Sequence, residues 1–293
     1  MNNLIRRIKE GYPSFSKGQK LIADYISEHY DKAAFMTAAK LGSEVGVSES
    51  TVVRFATELG FDGYPKLQKA LREIIKSRLT SAQRLEVSST QIDPENVMKS
   101  VLQSDINKLR VTMEEADEKS FNAAVDQILH ANRIFILGVR SSAPLASFLG
   151  FYFNLIFENV RLVHTTSVSE MFEQIVNARK GDVVIGISFP RYSKRTAKAL
   201  EFVSKQGASV IAITDNSASP LAEYANYCLF ARSDMASFVD SLVAPLSLIN
   251  ALIVAIGLKR KEQIHCTLEK LEKLWDEYQI YENDDRNTAL NRD

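Results

Sequence analysis

The pattern of apolar and polar positions changes period once along this chain, near residue 133. Before that point apolar residues recur every three or four positions, the spacing of helices packed on one side. A short amphipathic helix is predicted at 3–10. A second starts at Ser16 and runs to about residue 29, with Leu21, Ile22, Tyr25 and Ile26 apolar. Beyond the segment 37–54, a turn at Asp62 and Gly63 leads into another helix. It carries Leu67, Leu71, Ile74 and Ile75 on one face and Lys66, Lys69, Arg72 and Lys76 on the other. The stretch after residue 80 is polar and lacks a period, which marks a linker. Long helices follow at about 95–116 and 118–130. From Arg133 short apolar runs alternate with helical segments. Strands are predicted at RIFILGV, RLVHTTS, DVVIGISF, SVIAITD and YCLFARS, with helices between them and a short one at SPLAEYA. An apolar helix at about 238–257 and a last helix at 259–281 close the series. Alternating βα units predict a parallel sheet with helices on both faces. The expected order is therefore an all-α domain over 1–80, a linker over 81–94, an α/β domain over 95–281 and a polar tail over 282–293.

The segment TAAKLGSEVGVSESTVVR, residues 37–54, reads as two short helices joined at Gly46. Ala39, Leu41 and Val45 fall on one face of the first. Ser48 is placed to cap the second, whose apolar stripe continues at Val52, Phe55 and Leu59. Gly42 is small where the two helices would cross, and Gly46 permits the positive φ of a sharp turn. This is the pattern of a helix-turn-helix, whose second helix enters the DNA major groove. A hairpin built only for packing shares the spacing; the outward polar set is what separates the two. Ser48, Glu49, Ser50, Thr51 and Arg54 stand near the start of the second helix. Short polar side chains and an arginine at such positions reach base edges and phosphates. Lys66 and Lys69 on the following helix would lie along the DNA backbone or form a solvated face.

Charge sharpens this division. The 293-residue chain has a formal net charge of zero, but residues 1–80 carry 13 basic and 9 acidic side chains and the rest carry 23 and 27. A basic amino-terminal module on an acidic body fits a protein that meets phosphates at one end. The excess is small, so two modules acting together would be needed for useful specificity. The two cysteines, Cys228 and Cys266, lack CxxC spacing and imply neither a metal site nor a disulfide framework. The opening MNNLIRRIKEG is too polar for a secretory signal. The most apolar stretch, 242–257, contains Pro245, Ser247 and Asn250 and is short for a membrane span. It reads as a buried helix or a subunit contact, and a cytoplasmic location is expected.

In parallel sheets ligands bind beyond the carboxyl ends of the strands. The first strand ends in Gly138, Val139, Arg140, Ser141 and Ser142, ahead of a helix starting at Ala143 and Pro144. Glycine, two hydroxyls and a helix amino terminus outline an anion site. A capping serine before proline would account for the same residues without a ligand. The dinucleotide fingerprint GxGxxG is absent. The third strand ends in IGISFPRYSKRT, which offers Ser188, Arg191, Ser193 and Thr196. Arginine binds phosphate or carboxylate as a planar fork. Thr214, Asp215, Asn216 and Ser219 after the fourth strand would close the pocket or cap the next helix.

The order and content of these loops resemble a sugar isomerase (SIS) domain, the phosphosugar-binding α/β module. Its usual third-strand motif is I-S-x-S-G-x-T, and here the chain reads Ile187, Ser188, Phe189, Pro190, Arg191, Tyr192, Ser193. The resemblance implies phosphate contacts at Ser141, Ser142, Ser188 and Ser193. Arg191 departs from the motif, which favours a ligand with a further anionic or densely hydroxylated group. With the words GVSESTVVRFATELGFDGYPKLQKAL and SFPRYSKRT, the chain resembles the RpiR/MurR family of bacterial transcriptional regulators over about residues 1–281. The resemblance implies a regulator of carbon or amino-sugar catabolism that responds to a sugar phosphate or related metabolite.

The expected partners are a double-stranded, palindromic DNA operator and an anionic carbohydrate effector, met by a homodimer or higher homo-oligomer. The ligand site is expected at Gly138, Arg140, Ser141, Ser142, Ser188, Arg191, Ser193 and Thr196. No cofactor, metal, membrane or catalytic residue is expected. The rival reading is an aldose–ketose phosphate isomerase, for which His164 and Glu170 near the second strand would supply the base. A strand-end polar residue is the plainer account of His164, and a separate 80-residue helical module has no role in an isomerase.

Overall fold

A computed structural model describes residues 3–76, 80, 82–85, 92–165, 167–233 and 239–281. The chain divides into two compact units, residues 1–101 with 234–240 and residues 102–233 with 241–293. Of the expected linker over 81–94, only 82–85 and 92–94 are among the described residues, and the polar tail over 282–293 lies outside them.

The first unit is helical: α1 (Asn3–Gly11), α2 (Lys17–Glu28), α3 (Tyr30–Ala33), α4 (Ala38–Val45), α5 (Glu49–Glu58) and α6 (Tyr64–Lys76). Each start has a local cause. Ser16 and Gln19 form a reciprocal capping box on α2, with the Gln19 N–H donating to Ser16 Oγ and the Ser16 N–H to Gln19 Oε1. Thr37 caps α4 and Ser48 caps α5 through bonds from Lys40 and Thr51 N–H groups. Ile22, Ile26, Leu41, Val52, Phe55, Leu67 and Leu71 are fully buried in one core. The apolar face of α4 is shifted from the expected one. Because Thr37 is the cap, Ala38 opens the helix, and Ala38, Leu41 and Gly42 are buried while Ala39 is exposed. Leu21 is exposed as well.

The second unit is an α/β layer structure. The boundary between the units falls within α7 (Val97–Glu114), and α8 (Glu118–Leu129) leads into the sheet. The order is then β1 (Ile134–Gly138), α9 (Ala143–Ile156), β2 (Val160–Val163), α10 (Val168–Ile175), β3 (Val183–Ile187), α11 (Lys194–Lys205), β4 (Ser209–Thr214), β5 (Tyr227–Phe230), α12 (Val243–Lys259) and α13 (Lys261–Glu277). All four strand pairings are parallel and the order is β2-β1-β3-β4-β5. Alternate strand residues enter two cores. Ile134, Ile136, Val183 and Ile185 pack with side chains of α8, α9 and α12, whereas Phe135, Leu137, Val184 and Val210 pack with those of α10 and α11. Burial on both faces is why these strands are continuous apolar runs.

Some boundaries differ from the expected ones. The segment SPLAEYA forms a 3-10 turn, Ala222–Tyr224, rather than a helix. The apolar helix starts at Val243 rather than 238, where Leu242 precedes it. The second strand stops at Val163, so His164 and Thr165 belong to the loop beyond it.

Candidate functional sites

In the first unit α4 and α5 meet at a tight turn. Gly46 holds φ of 73°, the left-handed region that ends α4. At Gly42 a Cβ would stand 2.7 Å from the Val47 carbonyl oxygen, so the close approach requires glycine. The capped start of α5 presents Glu49, Ser50 and Arg54 to solvent, with Thr51 half-buried. Ser48 has a structural duty besides exposure. Its hydroxyl lies 2.9 Å from both the Ser50 and Thr51 hydroxyls and accepts from the Thr51 N–H. Arg54 Nε donates to the Ser50 carbonyl at 3.4 Å, which leaves the rest of the guanidinium outward. Lys66 and Lys69 are exposed on α6. Arg72, from the same basic face, is pinned: its Nε donates to the Ala34 carbonyl and its guanidinium covers Phe35.

A recess of about 880 Å³ borders α5. Ser48, Thr51 and Arg54 line one wall, and Ser16, Gly18 and Gln19 at the start of α2 line the other. Sequence reasoning gave the start of α2 no part in this surface. The signal was present in Gly18, where a Cβ would stand 3.3 Å from the Thr51 methyl group. A larger residue there would push α2 away from the outer face of α5.

In the second unit the strand order reverses direction between β1 and β3. Such a switch point opens a crevice at the carboxyl edge of the sheet. The register pairs Gly138 with Ile187, so the loops after β1 and β3 leave the sheet side by side. In the first loop, a Cβ on Gly138 would meet the Ser142 carbonyl oxygen at 2.6 Å, so glycine lets the first turn of α9 close onto the strand. Arg140 opens a 3-10 turn, Arg140–Ser142, with a positive φ of 56°. Ser141 is exposed. Ser142 is buried, and its side chain makes no capping bond to α9.

In the second loop, Ser188 and Ser193 are joined. The Ser193 N–H donates to Ser188 Oγ at 3.0 Å, and Ser193 Oγ in turn accepts from the Thr196 N–H as the cap of α11. The Thr196 hydroxyl is fully buried and has no hydrogen-bond partner among the described residues. Arg191 is exposed.

The loop after β4 completes the edge. Tyr192 donates its hydroxyl to Asp215 at 2.7 Å, and Thr214 and Asn216 also donate to that carboxylate. Thr214 bonds Ser219, which supports the following turn. Tyr192 and its link to Asp215 were missed from sequence, because the partners lie 23 positions apart on different loops. His164 is exposed after β2, and the Glu170 carboxylate accepts a hydrogen bond from Thr165. Among the described residues no group of acids, histidines and cysteines could hold a metal ion, and no single helix is long and apolar enough to cross a membrane.

Comparison with known proteins covers both units. Residues 2–78 match the helix-turn-helix domain, rpiR family, and residues 127–255 match the SIS domain. An uncharacterized HTH-type transcriptional regulator of Caldanaerobacter subterraneus is 26% identical over 94% of this chain and 97% of its own. Another, YfhH of Escherichia coli, is 25% identical over 78% of this chain and 81% of its own. Among solved structures, the sugar isomerase domain of an RpiR transcription factor from Sphaerobacter thermophilus is 26% identical, with a TM-score of 0.57. It covers 60% of this chain and 98% of its own. The Vibrio vulnificus NanR protein, complexed with ManNAc-6P, shares the fold with a TM-score of 0.57 at 22% identity, over 96% of this chain and 100% of its own.

Proposed function

Because this chain belongs to the RpiR family of transcriptional regulators, a helix-turn-helix domain joined to an SIS domain, we propose that a sugar phosphate bound at the β1/β3 crevice changes its affinity for a DNA operator. The observation that carries the effector reading is the buried, unpartnered hydroxyl of Thr196 at the amino terminus of α11. A buried hydroxyl without a partner costs about 1–3 kcal/mol, a cost that an acceptor oxygen at that position removes. A phosphate there meets Ser188, Ser193 and Thr196 together with the positive end of the α11 dipole. Ser141 and Ser142 supply the facing loop. NanR binds ManNAc-6P, and its likeness to this chain is one of fold.

On the DNA side, Ser50, Thr51 and Arg54 enter the major groove, with Glu49 beside them and Ser48 setting the helix start. Lys66 and Lys69 meet phosphates. The protein acts as a cytoplasmic homodimer on a palindromic operator, so that two weakly basic modules bind at once. Support for pairing comes from α12, a strongly apolar helix that leaves Val254 and Leu258 exposed, 59% and 73%. We read it as a regulator rather than an isomerase, because the rpiR-family helix-turn-helix domain over residues 2–78 has no part in isomerisation.

Two measurements test this. DNA fragments selected from a random pool by the wild-type protein should be bound with steep salt dependence. Arg54→Ala, with its circular dichroism unchanged, should lose that binding; undiminished affinity refutes the assignment of α5. In thermal-shift titrations a sugar phosphate at a hundred times its dissociation constant adds about 2.7 kcal/mol of stability. Ser188→Ala should abolish the shift, and turnover of any sugar phosphate would refute the non-enzymatic reading.

A further inference from the structure

We infer that the effector carries a second acidic group besides its phosphate, a carboxylate or another phosphate, held between Arg140 and Arg191. This rests on the sugar-phosphate reading of the same crevice and says which sugar phosphates the crevice takes. The two arginines stand on adjacent loops. Arg140 lies two residues beyond Gly138 and Arg191 four beyond Ile187, and those two residues are register partners on neighbouring strands. Both guanidinium groups are exposed, and neither pairs with an acid among the described residues.

Acids do stand on this edge, but their lone pairs are used otherwise. Asp215 accepts from Tyr192, Thr214 and Asn216, and Glu170 accepts from Thr165. Asp215 and Glu170 are thus engaged by neighbouring hydroxyls and an amide, while Arg140 and Arg191 place two like charges on neighbouring loops. That distribution disfavours the empty site and favours a bound anion. Nor does the phosphate already assigned to the α11 terminus account for both arginines, because Ser188, Ser193 and Thr196 give it neutral donors of their own.

The backbone at Arg140 points the same way. Its φ of 56° is one of only two positive values held by non-glycine residues among those described. A long side chain in the left-handed region costs backbone energy that glycine would not. Strain kept at a ligand loop is a signature of a side chain held for binding. An arginine there brings a guanidinium to a turn that glycine would suit better.

The test uses the full chain and two probe pairs that differ mainly by an acid: glucose 6-phosphate against 6-phosphogluconate, and fructose 6-phosphate against fructose 1,6-bisphosphate. Dissociation constants come from calorimetry. The acidic member of at least one pair should bind tenfold tighter or more, the gain from one charge-assisted bidentate contact. Which pair shows the gain tells carboxylate from phosphate. Arg140→Gln and Arg191→Gln should each cut that ratio to about twofold or less, weakening the acidic member of the pair more than the monophosphate. Arg140→Gly should lose the ratio without lowering the melting temperature, which separates loss of the guanidinium from loss of fold. Equal affinity within both pairs, with binding still abolished by Ser188→Ala, overturns the second-acid site and leaves the phosphosugar reading intact. No binding of any of the four probes overturns both.

Discussion

Replacing Gly42 by alanine should weaken the helix-turn-helix, and the size of the effect follows from where the new methyl group would sit. An ideal Cβ at Gly42 lies 2.7 Å from the Val47 carbonyl oxygen, and 3.3 Å from both Glu49 N and Ser48 C. All three neighbours are backbone, so no side chain can swing aside. The turn is also tied to the residue being changed, because the Val47 N–H donates to the Gly42 carbonyl at 2.8 Å. Relief requires the start of α5 to move by about half an ångström or more, carrying the Ser48 cap with it. Alanine in a helix interior gains about 0.5–1 kcal/mol over glycine. Overpacking of this kind costs about 1–3 kcal/mol. The net expectation is a loss of about 1–2 kcal/mol.

A second substitution calibrates the reasoning. Gly150 is also a buried helical glycine, in α9, but a Cβ there would meet only Leu162 side-chain atoms, at 3.6 to 3.8 Å. That is ordinary contact, so Gly150→Ala keeps the helix gain without the clash and should stabilise by about 0.5–1 kcal/mol. Urea unfolding gives the two signs. Hydrogen exchange read by mass spectrometry places them: lower amide protection in α4 and α5 for the first variant, higher protection in α9 for the second. The proposed operator binding should weaken only in the first. Gly42→Ala with wild-type stability and protection would refute the close approach of α4 and α5 and, with it, the placement of the polar set on α5.

Tyr64 gives the first unit an alkaline limit. Its buried hydroxyl donates to the Ala33 and Met36 carbonyls, and burial pushes its pKa from 10.0 up to about 12, against a smaller lowering by Arg72. The raised value favours the neutral form, so its contribution is whole below pH 10 and is lost as pH rises from 10 to 12. The amount is about 2–3 kcal/mol. Tyr64→Phe should flatten that part of the stability–pH curve; an unchanged slope there would refute the assignment. Tyr192→Phe removes one donor from the buried Asp215 carboxylate and frees the loop that carries Arg191. It should cost about 1–3 kcal/mol and weaken effector binding without touching the helix-turn-helix. Calorimetry with the tightest probe checks it, and wild-type affinity would mean that the loop is held elsewhere.

What could be read from sequence and what could not divide along a physical line. Local chemistry is legible because its partners are near in the chain. Ser48 caps three residues ahead, Gly46 supplies a positive φ to its own turn, and strands buried on both faces must be continuous apolar runs. The two-fold alternation that sends Ile134 and Phe135 to opposite cores is equally local. At α4 the expected face took Ala39 where the structure buries Ala38, which lies three positions before Leu41 and so shares its side of the helix. The basic face of α6 looked uniform, yet Arg72 is taken by a carbonyl 38 positions away. No spacing rule on one helix could have told it from Lys66 and Lys69.

Both proposed binding surfaces are assembled across such distances, and this bears on what they can do. The recess beside α5 needs Gly18 and Thr51 in contact, so the surface offered to DNA depends on the packing of α2 as well as on α5's own sequence. The crevice needs loops after β1, β3 and β4, and Tyr192 bonded to Asp215 ties the last two together. A ligand gripping Arg191 therefore loads the β4 loop without touching it. An effector that bound only to the α11 terminus would leave Arg140 and its strained turn idle. One that spans both loops engages the β1 loop directly and the β4 loop through Tyr192, so its second acid decides how many parts of the sheet edge respond.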